Sequence, residues 1–380
     1  MLGAEHDDPV VWEEALGSNV RDVDGNVLVD LVGGFGVALV GHRDPRVVAA
    51  ARAQEERLLH AMGDSMPDIT RIRLLEALAR VAPGDLSVSI LGLSGADAVD
   101  AAVKTAVLAT GKTGVLAFEG AYHGLSLGTV ALQGYKRSFV EPFAAIAHPQ
   151  VHRLPYGAGA KAVSASLTRH PVGLILVEPI LGRGGIRPAQ RGWLRMLADV
   201  AHSHGALLAF DEIQSGLGRS GEPFASMAHG VVPDLMCVGK ALGGGFPISA
   251  CIGTPRAMTA WGASGGEAIH TQTFLGHPVG CAAALAVLEH LETDLCHRVR
   301  ERGAALEAAF RGRNHRGRGL MRAVEIDGDA LAASRELLQR GFIQLPAGPR
   351  SLGFTPPVTL SDPQLAALAD ALDAVAPRSS

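Results

Sequence analysis

The 380-residue sequence predicts an α/β fold in which helices flank a mostly parallel central sheet, with a smaller α+β domain built from both ends of the chain. Short apolar runs stop abruptly at polar residues, as 207–210 does before Asp211 and 235–238 does before Gly239 and Lys240. Such runs are typical of buried strands. A content of 47% hydrophobic residues and 47 glycines suits a globular α/β enzyme with many tight turns.

Composition excludes several functional classes. The net charge of −4 gives no basic face for nucleic acid. No apolar stretch reaches the roughly 18 residues that span a bilayer, and the acidic N-terminus lacks the apolar core of a signal peptide. The four cysteines are scattered without CxxC spacing, which favours reduced cytosolic thiols. We therefore expect a cytoplasmic protein without membrane, nucleic-acid or metal partners.

The first third of the chain reads as a hairpin followed by helices. Asp24-Gly25 lies between two short strand-like runs, a hairpin signature, and Gly33-Gly34-Phe35-Gly36 follows. Apolar residues at helical spacing occupy 45–82, with a break at Pro67-Asp68. A buried strand is predicted at 88–91.

The remaining chain predicts further strands at 115–118, 173–177 and 248–252 and a long apolar helix at 279–291. A basic amphipathic helix from about 295, a glycine-rich strand start at 316–321 and a last helix after Ser361-Asp362-Pro363 complete the pattern. We expect a large domain at 46–275 and a discontinuous small α+β domain of 1–45 and 276–380.

Asp211 and Lys240, each closing a buried strand, are the candidate catalytic residues. Chemistry in open α/β sheets collects where strands end. A lysine amine is nucleophilic only when neutral, and partial burial beside a cationic group lowers its pKa. The alternative is that the two residues form a structural ion pair in a non-catalytic protein.

The runs LLAFDEIQSGLGRSGEPF (207–224) and CVGKALGGGFP (237–247) resemble the pyridoxal-phosphate site of the class III aminotransferases, the family related to ornithine and 4-aminobutyrate aminotransferases. The resemblance implies a fold type I pyridoxal-phosphate-dependent transferase. It also implies that Lys240 holds pyridoxal 5'-phosphate as a Schiff base, that Asp211 pairs with the pyridinium nitrogen, and that Gln214 touches the ring hydroxyl.

The same resemblance assigns the other cofactor contacts at strand ends. The phosphate is expected at Gly95 and Ala96 with Ser94 beside them, where a helix start presents N–H groups to an anion. Tyr122 matches an aromatic residue stacked on the pyridine ring, and stacking adds roughly 0.5–1.5 kcal/mol beyond area burial. His123 is expected to support this packing rather than transfer protons.

Three further assignments follow from the resemblance. Glu178, in the pair Glu178-Pro179, would brace the site near the cofactor. Phe35 would line the substrate pocket, with a core position as the alternative. Thr273 matches a threonine that crosses a dimer interface to the partner subunit's phosphate, which implies a homodimer with shared active sites.

The sequence departs from the family pattern at two positions. Relatives that use glutamate and 2-oxoglutarate commonly have an acid at the place of Arg183 and an arginine at the place of Gly353 in a late R-F-x-P-P-type run. We interpret Arg183 as a relocated anion anchor that binds a substrate carboxylate with two parallel hydrogen bonds. The alternative is an Arg183 side chain that extends into solvent between glycines.

The segment 216–221 also satisfies the GxGxxG spacing of dinucleotide-binding proteins. That fingerprint should follow its strand directly and open a helix. Here DEIQS separates the strand from the first glycine and EPF follows the last, so the spacing is weak evidence.

The leading functional prediction is an aminotransferase that moves an amino group between a small-molecule amino donor and a keto acid by a ping-pong mechanism. The alternative is an amino-acid or amino-lactam racemase or epimerase, because 94–124 and the late LGFTPP resemble that branch. That branch has an aspartate at the place of Arg183, and an arginine cannot serve as a base. A non-catalytic protein that binds the cofactor is a third possibility.

Overall fold

The computed structural model describes residues 9–63, 65–263 and 267–378. The strands are β1 (Trp12–Leu16), β2 (Asn19–Asp22), β3 (Val27–Asp30), β4 (Val88–Gly92), β5 (Gly114–Phe118), β6 (Val151–Leu154), β7 (Val172–Val177), β8 (Ile180–Leu181), β9 (Arg187–Pro188), β10 (Leu207–Asp211), β11 (Leu235–Val238), β12 (Ser249–Gly253), β13 (His315–Arg318), β14 (Met321–Glu325), β15 (Phe342–Ile343), β16 (Leu345–Pro346) and β17 (Ser351–Phe354). The helices are α1 (Gly33–Gly36), α2 (Pro45–Glu55), α3 (Ile69–Val81), α4 (Gly95–Thr110), α5 (Ala160–Arg169), α6 (Trp193–Ser203), α7 (Pro255–Met258), α8 (Pro278–Thr293), α9 (Leu295–Ala309), α10 (Ala330–Gln339) and α11 (Asp362–Val375).

The central sheet has the strand order β4-β12-β11-β10-β7-β5-β6. Strand β12 is antiparallel to both of its neighbours, and the other pairs are parallel. Strands β5, β7, β10 and β11 are buried along their whole length, as expected for a parallel sheet covered on both faces. The predicted α/β fold with a mostly parallel sheet is confirmed.

Alternating residues of these strands pack against helices on opposite faces. On one face, α4 packs against side chains such as Leu174 and Ala209. On the other face, α6 packs against Ile175, Leu208 and Phe210. Both faces are therefore apolar, which explains why the strands read as continuous hydrophobic runs in the sequence.

The two ends of the chain build separate sheets. The predicted hairpin forms from antiparallel β2 and β3, and the sheet β1-β2-β3-β15 combines the N-terminal strands with β15. The sheet β13-β14-β17-β16 lies entirely in the C-terminal part. Within the described ranges, no helix combines the length and apolar character needed to cross a membrane.

The segment 216–221 lacks the structure of a dinucleotide-binding turn. It forms turns that continue into a 3₁₀ turn at Ala225–His229, and Leu217 has a positive φ of 56°. No α-helix opens at Gly221, because the next one along the chain is α7. The GxGxxG spacing is therefore a chance match.

Candidate active site

The candidate catalytic residues lie together because the central strands end at one edge of the sheet. Asp211 closes β10, and Lys240 follows β11 after Gly239. Glu178 follows β7, and Tyr122 and His123 lie four and five residues beyond the end of β5. Parallel strands carry their carboxyl ends to the same side, where ligands of open α/β sheets bind.

Asp211 is buried and its carboxylate is oriented by two donors. His123 Nδ1 donates to Asp211 Oδ2 over 2.7 Å, and the backbone N–H of Ile213 donates to Oδ1 over 3.1 Å. The imidazole is also buried, and its Nε2 has no hydrogen-bond partner among the residues that the structure describes. His123 thus acts on Asp211 as well as on the packing around it, a contact that the sequence did not indicate.

Lys240 adopts a left-handed backbone conformation with φ of 40°, which is unusual for a residue with a side chain and is common at functional sites. Burial lowers the pKa of Lys240, opposed by negative Asp211 and Glu178 and assisted by positive Arg183 and Arg219. In the part of the chain that the structure describes, no carboxylate oxygen lies within 4.0 Å of its Nζ. The alternative of a structural Asp211–Lys240 ion pair is wrong.

Glu178 joins two segments around the site. Its Oε1 accepts the backbone N–H of Tyr122 and its Oε2 accepts that of Gly182, both over 2.8 Å. Burial raises the pKa of Glu178 to about 7, with His123 opposing and Asp211 adding to the rise. A Cβ on Gly182 would lie 2.2 Å from Gln214 Oε1, so the Gln214 amide also lies at this junction.

Ser94, Gly95 and Ala96 form the start of α4 beside Lys240. Ser94 caps the helix by accepting the N–H of Asp97 over 3.2 Å. Gly95 packs closely against Ile213, because a Cβ on Gly95 would lie 2.9 Å from the Ile213 side chain. A Cβ on Gly239 would lie 3.8 Å from the Gly95 Cα, so the helix start and the lysine turn are in contact range.

Arg183 is half-buried and stacks on aromatic rings. Its Cζ lies 4.9 Å from the centroid of the Tyr122 ring and 5.6 Å from that of Tyr135. The alternative of an Arg183 that extends freely into solvent is wrong, because the two tyrosines hold the guanidinium over the site. No ion pair of Arg183 occurs with any described residue.

Phe35 lies in α1, which is not a regular helix because Gly33, Gly34, Phe35 and Gly36 all have positive φ; we call this turn the loop 33–36. The Phe35 side chain is 63% exposed, so the alternative of a core position is wrong. Gly36 faces the active site, since a Cβ there would lie 3.5 Å from Lys240 Cδ.

Two charged side chains that sequence reasoning missed hold this loop. Asp30 accepts the backbone N–H groups of Val32, Gly33 and Gly34 and also bonds the His42 ring. Arg219 is fully buried and donates to the carbonyl oxygens of Gly36, Leu320 and Pro356. Burial lowers the pKa of Arg219 to about 9, opposed by Asp30. The only sequence feature that could have indicated the role of Arg219 was its position inside the glycine-rich run 216–221.

Thr273 lies at the surface, outside this cluster. Its neighbour Gln272 donates to Asp97 Oδ1 over 3.0 Å, which ties the segment to the first turn of α4. Thr273 also borders a shallow cavity of about 210 Å³ lined by His60 and Met62. The structure therefore places Thr273 near the helix start but facing outward.

A lysine and an acid closing adjacent parallel strands, beside a glycine-lined helix start, define the fold and site of a pyridoxal-phosphate-dependent transferase. The profile of the family described as aminotransferase class-III matches residues 2–376, so the chain belongs to the class III aminotransferases. Class III aminotransferases depend on pyridoxal phosphate, and the predicted cofactor is confirmed.

Similar proteins agree with this assignment. The chain is 36% identical to 5-aminovalerate aminotransferase DavT of Pseudomonas aeruginosa, covering 97% of this chain and 94% of the relative. It is 36% identical to acetylornithine aminotransferase of Mycolicibacterium smegmatis, covering 97% and 93%. The ornithine aminotransferase of Toxoplasma gondii, described with PLP at its active site, superposes with a TM-score of 0.87 at 27% identity, covering 97% and 90%. The aminotransferase prediction is confirmed, and nothing in these relatives supports the racemase alternative.

Proposed function

We propose that this aminotransferase uses Lys240 as both cofactor anchor and proton carrier, with Asp211 holding the cofactor ring, on substrates that carry a carboxylate. The observation that carries the proposal is a half-buried Lys240 without an ion-pair partner in the described chain, set between Asp211, Glu178 and Arg183. Burial lowers the pKa of Lys240, which favours the neutral amine that acts as a nucleophile.

The residues present fit pyridoxal phosphate. The buried carboxylate of Asp211 suits a protonated ring nitrogen, and the N–H groups at the start of α4 around Ser94, Gly95 and Ala96 suit its phosphate. Tyr122 offers an aromatic face, and Gln214 a hydrogen-bonding amide near Glu178. When bound, this cofactor supplies an electron sink for the carbanion formed at the substrate carbon.

The side chains around it divide the remaining work. In its neutral form, Lys240 takes the proton from the substrate carbon onto its Nζ. It gives this proton up again later in the same half-reaction. Asp211 holds the ring charge, and His123 fixes the direction of the Asp211 carboxylate through the 2.7 Å hydrogen bond. Glu178 keeps the Tyr122 and Gly182 backbones in place.

Arg183 binds the substrate carboxylate, and Phe35 lines the entrance. Arg183 offers a guanidinium with no ion pair to a described residue, and an arginine fork matches a carboxylate with two hydrogen bonds. The names of the relatives, 5-aminovalerate, acetylornithine and ornithine aminotransferase, each denote a substrate with both an amino group and a carboxylate. Substrates of this kind are accordingly the ones to test first.

The enzyme acts as a cytoplasmic homodimer in which Thr273 reaches the partner subunit's phosphate site. Its outward position beside the start of α4 supports this arrangement. The chain divides into a large domain at 46–275, which contains the central sheet, and a small domain of 1–45 and 276–380; residues 1–8, 64, 264–266, 379 and 380 lie outside the described residues. Helix α8 packs against α2 and α3 and joins the two domains.

The test compares Lys240→Ala and Asp211→Asn with wild type. Lys240→Ala should fail to retain the cofactor covalently and should lose about 10²–10⁴-fold in amino transfer. Asp211→Asn should bind the cofactor but lose about 10²–10³-fold in kcat. Lys161→Ala, an exposed lysine on α5, is the matched control and should behave as wild type.

Two results would contradict the proposal. One is amino transfer by Lys240→Ala at the wild-type rate. The other is inversion of an enantiopure amino acid by the wild-type protein without any keto acid present, since this would be racemisation. Transfer that depends strictly on a keto acid supports the proposal.

A further inference from the structure

Tyr135 lies against the guanidinium of Arg183, although the two residues are far apart in the sequence. The Arg183 Cζ is 5.6 Å from the Tyr135 ring centroid and 4.9 Å from that of Tyr122. Both distances fall within the roughly 6 Å over which a cation is attracted to an aromatic face. The guanidinium therefore has two aromatic contacts that restrict its orientation.

Close backbone packing fixes both sides of this contact. Gly134 donates its N–H to Ala121 O and accepts the N–H of Gly120, both over 2.9 Å, and a Cβ on Gly134 would lie 2.2 Å from Phe118 O. A Cβ on Gly184 would lie 2.6 Å from Gly120 O. Tyr135 directly follows Gly134, and Arg183 directly precedes Gly184. Both glycines pack on the turn after β5.

The charge around Tyr135 favours an anion. Lys136 Nζ lies 5.3 Å from the Tyr135 ring centroid, so two cations approach one aromatic side chain. Neither cation has a carboxylate within 4.0 Å among residues 9–63, 65–263 and 267–378. A bound carboxylate would neutralise this local excess of positive charge.

We infer that Tyr135 is a positioning residue for Arg183 and thereby sets the affinity for the substrate carboxylate. The inference rests on the proposed role of Arg183 as the carboxylate anchor. The aromatic ring, and not the hydroxyl, carries the effect, because the contact is made through the ring face. A guanidinium held in one orientation loses less conformational freedom when it binds a carboxylate with both arms.

The experiment compares Tyr135→Leu and Tyr135→Phe in the cofactor-loaded enzyme. With 5-aminovalerate as donor, Tyr135→Leu should raise KM about 3- to 30-fold with kcat within about twofold of wild type. The dissociation constant of glutarate, an unreactive dicarboxylate measured by calorimetry, should rise by a similar factor. Tyr135→Phe should keep both values near those of wild type.

Two further variants test whether Tyr135 affects carboxylate binding only through Arg183. Tyr135→Leu combined with Arg183→Ala should bind glutarate no more weakly than Arg183→Ala alone, since the tyrosine acts only through the arginine. The control is Phe143, a half-exposed aromatic residue in the segment after Tyr135 that is not one of the two rings stacked on Arg183. Phe143→Leu should leave glutarate binding unchanged.

Several outcomes would overturn the inference, and each is separate from failure of the aminotransferase reaction. Additive effects of the two substitutions, or a Tyr135→Phe variant as weak as Tyr135→Leu, would exclude positioning through the ring. Unchanged glutarate binding by Arg183→Ala would show that Arg183 does not bind the carboxylate. Amino transfer by the wild-type enzyme, measured in the same series, reports on the overall reaction independently.

Discussion

Lys240 is surrounded by charges of both signs, which have opposite effects on the pKa of its amine. Burial lowers the pKa of Lys240 most strongly, Asp211 and Glu178 raise it, and Arg183 and Arg219 lower it. The cation Arg183, at a position where we expect relatives to carry an acid, thus affects more than substrate contact. It also shifts the lysine towards the neutral form that attacks an aldehyde.

Arg183→Ala should therefore raise the pKa of Lys240 and move cofactor capture to higher pH. A higher pKa leaves less neutral amine at neutral pH, so covalent capture of pyridoxal phosphate by the cofactor-free protein should slow there and recover in alkaline buffer. The measurement is the rate of the cofactor absorbance change as a function of pH. Arg187→Ala, an exposed arginine on β9, is the control and should keep the wild-type profile. An Arg183→Ala profile that is unchanged or displaced to lower pH would contradict this account.

The loop 33–36 shows how one element can carry both strain and function. Its four consecutive positive φ angles include a non-glycine residue, Phe35 at 64°. Left-handed backbone costs a side-chain-bearing residue about 1–2 kcal/mol, so surrounding contacts must hold it. Asp30 supplies those contacts by accepting backbone N–H groups of the loop, and Arg219 does so by donating to the Gly36 carbonyl oxygen.

Gly33→Ala should destabilise the protein and weaken substrate binding. At this position φ is +57°, and a Cβ would lie 2.8 Å from Thr355 O, so the loop must shift. The expected loss is about 1–3 kcal/mol in the free energy of unfolding, measured by urea denaturation, together with a higher KM. Gly25→Ala is the matched control, since φ there is +86° but nothing lies within 4 Å. Equal losses for both variants would show that the contact with Thr355 is unimportant.

At the scale of the whole molecule, exposed apolar side chains occur in two segments that meet near Thr273. We call this apolar group the 58–66 surface; its exposed members are Leu58, Leu59, Met62, Met66 and Phe274. The ring centroids of Phe274 and His60 lie 5.4 Å apart, and this contact joins the segment 58–66 to the segment around Thr273. Exposed apolar groups in contact with one another are typical of protein interfaces. The proposed homodimer would cover this surface and bring Thr273 to the second active site.

Met66→Asp should therefore weaken the dimer and the binding of cofactor together. A charge placed in an apolar interface should raise the dimer dissociation constant at least about tenfold, as measured by sedimentation equilibrium. Cofactor affinity should fall in parallel, because in the proposed homodimer each phosphate site needs the partner's Thr273. Met227→Asp alters an exposed methionine outside the 58–66 surface and should have neither effect. Full cofactor affinity in a monomeric Met66→Asp protein would disprove shared sites.

The sequence by itself determined the fold class, and it supplied the proposal for the principal cofactor residues. Buried parallel strands appear as continuous apolar runs, so the polar residue that ends each run is visible without any structure. Lys240 and Asp211 were proposed in this way, and Glu178 and the start of α4 were proposed from the resemblance to the class III aminotransferases. The two-strand hairpin around Asp24-Gly25 was equally local, because its turn residues lie between the strands they connect.

Only the tertiary structure decided how side chains that are far apart in the sequence meet. The His123–Asp211 hydrogen bond, the contact of Arg219 with Gly36, and the stacking of Arg183 on Tyr135 each join separate segments. The exposure of Phe35 depends on positive φ angles that Asp30 and Arg219 maintain from outside the loop. Hydrophobic periodicity records which residues are buried, but the partner of each buried charge depends on how the strand ends are packed together.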